Sequence, residues 1–162
     1  MKISAAARVA APRDRVFEAL NDPDVLRQCI PGCEALTRDE AAGPYQVRLK
    51  LGIAGLKGQY VGTATPENLD PPGSFTLAFD GKGKTGFVRG SAAIQIGDED
   101  GAAQIACEAD VQVGGAIAAV GSRLMVAVAR KLTRDFFRQL ATEIGAPPDD
   151  TPANAEEDLD QR

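Results

Sequence analysis

Ile3, Ala5, Ala7 and Val9 alternate with Lys2, Ser4, Ala6 and Arg8, the period-two pattern of a strand that turns one face inward. Pro12 follows at a position that a first helical turn tolerates, and Val16, Phe17 and Leu20 recur at helical spacing until Asn21, Asp22 and Pro23 stop the run. Asp22 can cap, and Pro23 begin, a second short helix through Val25 and Leu26 that ends before Pro31 and Gly32. Alternation then returns. Tyr45, Val47, Leu49, Leu51 and Ile53 face one way while Gln46, Arg48, Lys50 and Gly52 face the other. The same test picks out residues 59–65, then Phe75, Leu77 and Phe79 against Thr76, Ala78 and Asp80, then residues 88–96 and 103–113. With a weaker strand at 34–38 the count reaches seven. Pro71-Pro72-Gly73, Gly81-Lys82-Gly83 and Asp98-Glu99-Asp100-Gly101 are punctuators of the kind that join antiparallel neighbours.

Gly114 and Gly115 end the last strand, and no proline interrupts residues 117–144, so this segment predicts a helix of roughly 40 Å at 1.5 Å per residue. On a wheel of 100° steps Ile117, Gly121, Leu124, Met125, Val128, Leu132 and Phe136 fall on one side. Arg123, Arg130, Lys131, Arg134 and Arg138 fall on the other. Consecutive hairpins curl a sheet, and a curled sheet has one concave apolar face that a single long amphipathic helix can cover. The expected class is therefore α+β: a seven-stranded curved antiparallel sheet wrapped on a long C-terminal helix, with two short helices after the first strand.

Length and charge then divide the chain. Its 162 residues suit one domain, which buries roughly 70% of the surface an unfolded chain exposes. Six acids (Asp149, Asp150, Glu156, Glu157, Asp158 and Asp160) against Arg162 alone carry the whole formal charge of -5. The expected division is a folded domain over 1–145 and an acidic disordered tail over 146–162, where few apolar groups offset ordering entropy. A charge-balanced domain disfavours nucleic acid as a partner. No run approaches the ~20 apolar residues of a membrane span, and Met1-Lys2-Ile3-Ser4 lacks the apolar stretch of a secretory signal, so a cytoplasmic location is expected.

Particular residues carry a resemblance. Pro-Arg-Asp-Arg-Val-Phe-Glu-Ala-Leu from Pro12 to Leu20, Asn21-Asp22-Pro23, Leu26 and Cys29-Ile30-Pro31-Gly32-Cys33-Glu34 resemble an amino-terminal signature. Gly114-Gly115, Ile117, Gly121, Arg123-Leu124 and Phe136-Phe137 resemble the closing helix of the same family. That family is the one named for the G subunit of carbon monoxide dehydrogenase, within the START-like helix-grip (SRPBCC) superfamily, and the Ile-Pro-Gly-Cys-Glu segment is the most specific part of the match. The resemblance implies a helix-grip cavity for an apolar ligand, a bound quinone or lipid with no covalent cofactor. It also implies a role beside a molybdenum hydroxylase of the carbon monoxide dehydrogenase type, in quinone supply, membrane association or assembly. Family members that dock on membranes through the carboxy terminus have an apolar or basic extension there, whereas this chain is acidic after Gly145.

The residues bear on chemistry in their own right. Zero histidines remove the commonest general base and zinc ligand, and three cysteines without Cys-x-x-Cys spacing offer no metal site. Cys29 and Cys33 read as a redox pair, a partner contact, or small groups filling a turn; Cys107 alternates inward on its strand. Cys29, Pro31, Gly32, Cys33 and Glu34 are expected at the mouth of the cavity or on a partner loop. A buried Glu34 there would have a raised pKa and could move a proton, as a helix-grip cyclase or hydrolase requires, while an exposed one would stabilise the turn. Gly81-Lys82-Gly83-Lys84-Thr85-Gly86 lacks Walker spacing and reads as a hairpin turn. The many small residues inside a wide sheet leave either close packing or a void. For a void, the expected lining is Val47, Leu49, Leu51, Phe75, Leu77, Phe79, Phe87, Ile117, Gly121, Leu124, Met125 and Val128. Arg123, Arg130, Arg134 and Arg138 read as a solvated face or as a surface for anionic lipid, giving peripheral contact with the inner face of the membrane, or for an acidic partner; the acidic tail is expected to fold back on this stripe and weaken surface binding until a partner displaces it. The reading without catalysis is an apolar-ligand carrier. Its alternative is a ligand-free assembly factor that uses the 29–34 loop on its client.

Overall fold

The computed structural model describes residues 1–147 other than 42 and 54. Its elements run β1 (Lys2–Val9), α1 (Arg13–Leu20), α2 (Pro23–Cys29), β2 (Cys33–Arg38), β3 (Tyr45–Leu51), β4 (Gly58–Asp70), β5 (Ser74–Gly83), β6 (Gly86–Glu99), β7 (Ala102–Gly114), a 3-10 segment Gly115–Val120, and α3 (Ser122–Glu143). The seven strands form one antiparallel sheet in the order β1-β7-β6-β5-β4-β3-β2. From β2 to β7 every strand pairs with its successor, and β1 joins the far edge beside β7. This is the helix-grip arrangement.

Local chemistry accounts for most boundaries. The Asp22 carboxylate accepts from the Asp24 amide at 3.0 Å and Pro23 fills the first turn of α2, so both devices that start a helix act together. Lys84-Thr85 forms the turn between β5 and β6. Curvature of the sheet depends on glycines where neighbouring backbone comes too close for a side chain. A Cβ on Gly62 would lie 2.1 Å from the Asp80 carbonyl oxygen, and one on Gly90 would lie 2.1 Å from that of Asp110. Such kinks bend a sheet on purpose.

One expectation needs correction. The closing helix does not begin near 117: the chain makes a 3-10 segment, passes Gly121 at φ 88°, and starts α3 at Ser122. A backbone with φ 88° and ψ 156° is accessible to glycine and breaks the helix. α3 is therefore 22 residues, roughly 33 Å long. It packs on β1 and α2, and the Arg15 guanidinium on α1 donates to the Ile144 carbonyl at its end. Residues 148–162, which hold nearly all of the expected tail, lie outside the described residues.

Candidate functional site

The register decides what faces α3. Across the sheet one row runs Val47, Gly62, Gly81, Val88 and Val113; the next runs Tyr45, Ala64, Phe79, Gly90 and Val111. A third runs Pro66, Leu77, Ala92, Ala109 and Ile3. Between residues 45–51 of β3, 60–66 of β4, 75–83 of β5, 88–96 of β6, 103–113 of β7 and 3–9 of β1, no concave-facing position carries a charge. The charges go to the convex side, as Arg48, Lys82, Arg89, Glu108 and Asp110 do.

Packing against this face is discontinuous. One apolar cluster joins Val9, Phe17, Phe75, Ile105, Phe137 and Leu140; a second joins Leu56, Ile117, Met125 and Val128; a third joins Leu26, Leu36 and Tyr45. Leu49, Leu77 and Phe79 face the helix side of the sheet, belong to none of the three clusters and remain half-buried. Apolar side chains at the middle of a concave face are normally the best covered. Here the clusters gather toward the two ends of α3, and these three side chains between them stay partly uncovered.

The expected lining residues divide accordingly. Val47, Leu49, Leu51, Leu77 and Phe79 lie half-buried on the concave face. Phe75, 4% exposed and edge-to-face with Phe17 at 5.7 Å, is closed core at one end. Ile117, Met125 and Val128 are closed core at the other. Phe87 does not line the interior. It pairs with Lys82 and Gly114 on the convex face, where the Arg89 guanidinium sits 4.5 Å from its ring centroid, because alternation places Val88 inward. Gly121 and Leu124 lie at the rim: Gly121 is exposed at the helix start, and Leu124 is 40% exposed. A Cβ on Gly55 would lie 3.5 Å from Leu124 Cδ2 and 2.8 Å from Val120 Cγ1, so the rim is narrow there.

The 29–34 segment is a fixed turn in which the two cysteines differ. Gly32 is held against β3: its carbonyl accepts from the Lys50 amide at 2.8 Å. Cys29 is 2% exposed inside the first cluster, not at a mouth, because it closes the buried face of α2. Pro31 and Cys33 are half-buried. Glu34 is exposed on the convex side, 3.6 Å from Arg48 and accepting from Gln59 at 2.9 Å, so it does not reach the interior and a proton-transfer role for it fails on placement. Burial raises the Cys29 thiol from about 9 to about 11, with Glu143 adding to the shift; burial also raises Cys33 and Cys107.

A reactivity prediction follows from the thiolate being the nucleophile. Iodoacetamide at mildly alkaline pH will leave Cys29 unmodified in the folded protein and modify it after unfolding, as read by peptide mass. The folded chain holds this proton more tightly than the unfolded one. Stability drawn from the neutral thiol is therefore complete below the unfolded value near 9 and is lost as pH climbs toward about 11.

On α3 the exposed basic stripe differs from the expected one. Arg123, Arg134 and Arg138 are exposed, but Arg130 turns to the sheet and its Nε donates to the Ser4 carbonyl at 3.1 Å. Lys131 takes its place on the exposed face, donating to Asp135 at 2.8 Å and holding that carboxyl below its ordinary range. Among the described residues no helix is long and apolar enough to cross a membrane, and no group of three metal-ligating side chains occurs. An open concavity of about 760 Å³ on the convex side is lined by Arg48, Asp80, Lys82 and Arg89 beside Val61; its charges suit water, not an apolar molecule.

Sequence reasoning misses Leu56, which plugs the second cluster at 7% exposure, and the hydroxyl pair of Tyr60 and Thr85 at 3.1 Å. Both depend on contacts between a loop and distant strands, for which periodicity carries no signal.

Comparison with known proteins agrees with this geometry. The family model for the G subunit of carbon monoxide dehydrogenase (CoxG) matches residues 6–145. No curated protein matches. A conserved protein from Geobacillus kaustophilus has a similar structure, with 30% identity, TM-score 0.84, and coverage of 90% of this chain and 95% of that one. Protein Ms6760 from Mycobacterium smegmatis shares the fold at 15% identity, TM-score 0.67, covering 89% of this chain and 90% of that one. Ara h 8.0201 shares it at 13% identity and TM-score 0.64, covering 89% and 97%.

Proposed function

Because the chain belongs to the CoxG family, that of the carbon monoxide dehydrogenase G subunit, we propose that its helix-grip domain binds a quinone or similar lipid and catalyses no reaction. It serves a molybdenum hydroxylase of the carbon monoxide dehydrogenase type as an accessory that carries this ligand. The observation that supports the reading is the uncharged concave face whose central side chains, Leu49, Leu77 and Phe79, have no packing partner in the three clusters. An apolar molecule entering that space removes both its own surface and theirs from water, at roughly 25 cal/mol per Å². The exposed stripe of Arg123, Lys131, Arg134 and Arg138 is the surface on which peripheral contact with anionic lipid would rest, each basic residue adding about 1 kcal/mol near such a membrane.

The test uses the full chain. Organic extracts of purified protein are expected to contain a quinone or lipid by mass spectrometry, and stripped protein to bind decylubiquinone one-to-one at micromolar concentration by calorimetry. Empty extracts together with no heat of binding would leave the ligand-free assembly factor as the better reading.

A further inference from the structure

On the concave positions traced above, the side-chain hydrogen-bonding groups are those of Tyr45, Tyr60 and Cys107. Tyr45 is 1% exposed, with the Arg38 guanidinium 4.0 Å above its ring, so an incoming molecule does not reach it. Tyr60 is half-buried and packs against the second cluster. Its ring lies over Gly83, where a Cβ would come within 3.0 Å of Cδ1. Its hydroxyl meets the Leu56 carbonyl at 3.0 Å and Thr85 Oγ1 at 3.1 Å. The Thr85 carbonyl accepts from the Ile117 amide at 2.9 Å, which fixes the pair where the β5–β6 turn, the 3-10 segment and Leu56 converge.

We propose that Tyr60 and Thr85 form the polar end of the binding space and select a ligand whose head presents a neutral oxygen to them, a hydroxyl or a carbonyl such as one of the two of a quinone. This rests on the apolar-ligand reading and deepens it. Proton counting supports the choice. The Leu56 carbonyl only accepts, so it takes the single Tyr60 proton, and Thr85 then donates to the Tyr60 oxygen or turns to donate to a ligand. The Thr85 lone pairs remain free to accept. One carbonyl or one hydroxyl satisfies the pair. A carboxylate head finds at most one donor and, on the traced concave positions, no cation, so it stays in water. The ligand consequently lies with its head toward the 3-10 segment and its apolar body along Leu49, Leu77 and Phe79.

The experiment compares four probes of one shape, naphthalene, 2-naphthol, methyl naphthyl ketone and 2-naphthoate, by equilibrium dialysis with the full chain. The naphthol and the ketone are expected to bind at least about tenfold more tightly than the naphthoate, tenfold being about 1.4 kcal/mol. Tyr60→Phe is expected to weaken the naphthol and the ketone about tenfold and to leave naphthalene within about twofold. Thr85→Val, which keeps the shape of the turn residue, is expected to repeat that pattern. If both variants bind all four probes as the wild type does, the head assignment is overturned while the apolar-ligand reading stands. If the wild type binds none of them, both are overturned together.

Discussion

Gly62→Ala and Gly90→Ala will each destabilise the fold by about 3 kcal/mol, lowering the melting temperature by roughly 10 °C for a domain of this length. The expectation rests on distance. Each new methyl group would sit 2.1 Å from a carbonyl oxygen of the neighbouring strand, Asp80 or Asp110, and a backbone atom in a sheet cannot rotate away as the tip of a side chain can. Relief requires flattening the strand locally, which lengthens ladder hydrogen bonds and moves the concave rows apart. Gly81→Ala is the control. It lies in the same row as Gly62, yet its nearest new contacts would be at 3.9 Å, and it should stay within about 1 kcal/mol of wild type. Urea denaturation of the three variants separates a conformational demand for glycine from a general sensitivity of the sheet.

The second large effect concerns binding. Leu49→Trp combined with Leu77→Trp adds two indoles to the middle of the concave face, where both leucines are half-buried and neither belongs to a packed cluster. In a close-packed core such additions cost about 1–3 kcal/mol each. Into vacant apolar space they should cost little stability, leaving the melting temperature within a few degrees, while reducing decylubiquinone affinity at least about thirtyfold. Severe destabilisation would mean that the middle is packed after all.

The strands are readable in the sequence because each repeats at period two over several residues; Tyr45 to Leu51 alone fixes which side of β3 is apolar. The start of α3 is not. Ile117 continues the helical spacing of apolar residues, and only the backbone at Gly121, φ 88°, shows that the spacing spans a break. The aromatic character of Phe87 suggests an inward position, whereas its strand alternation, anchored at Val88, sends it to the convex face. Arg130 groups by spacing with its charged neighbours, but topology makes β1 an edge strand whose Ser4 carbonyl accepts a donor from α3. Tyr60, Thr85 and Leu56 meet through tertiary contact, and no local pattern announces their meeting.

Apolar cargo between sheet and helix will change the surroundings of any fluorophore placed there. The chain contains no tryptophan, so a single one reports its own surroundings. Phe79→Trp places it on the concave face and Phe87→Trp on the convex face. Decylubiquinone is expected to quench the first saturably and one-to-one and to leave the second unaffected; equal quenching of both, or of neither, would mean that no cargo lies between sheet and helix.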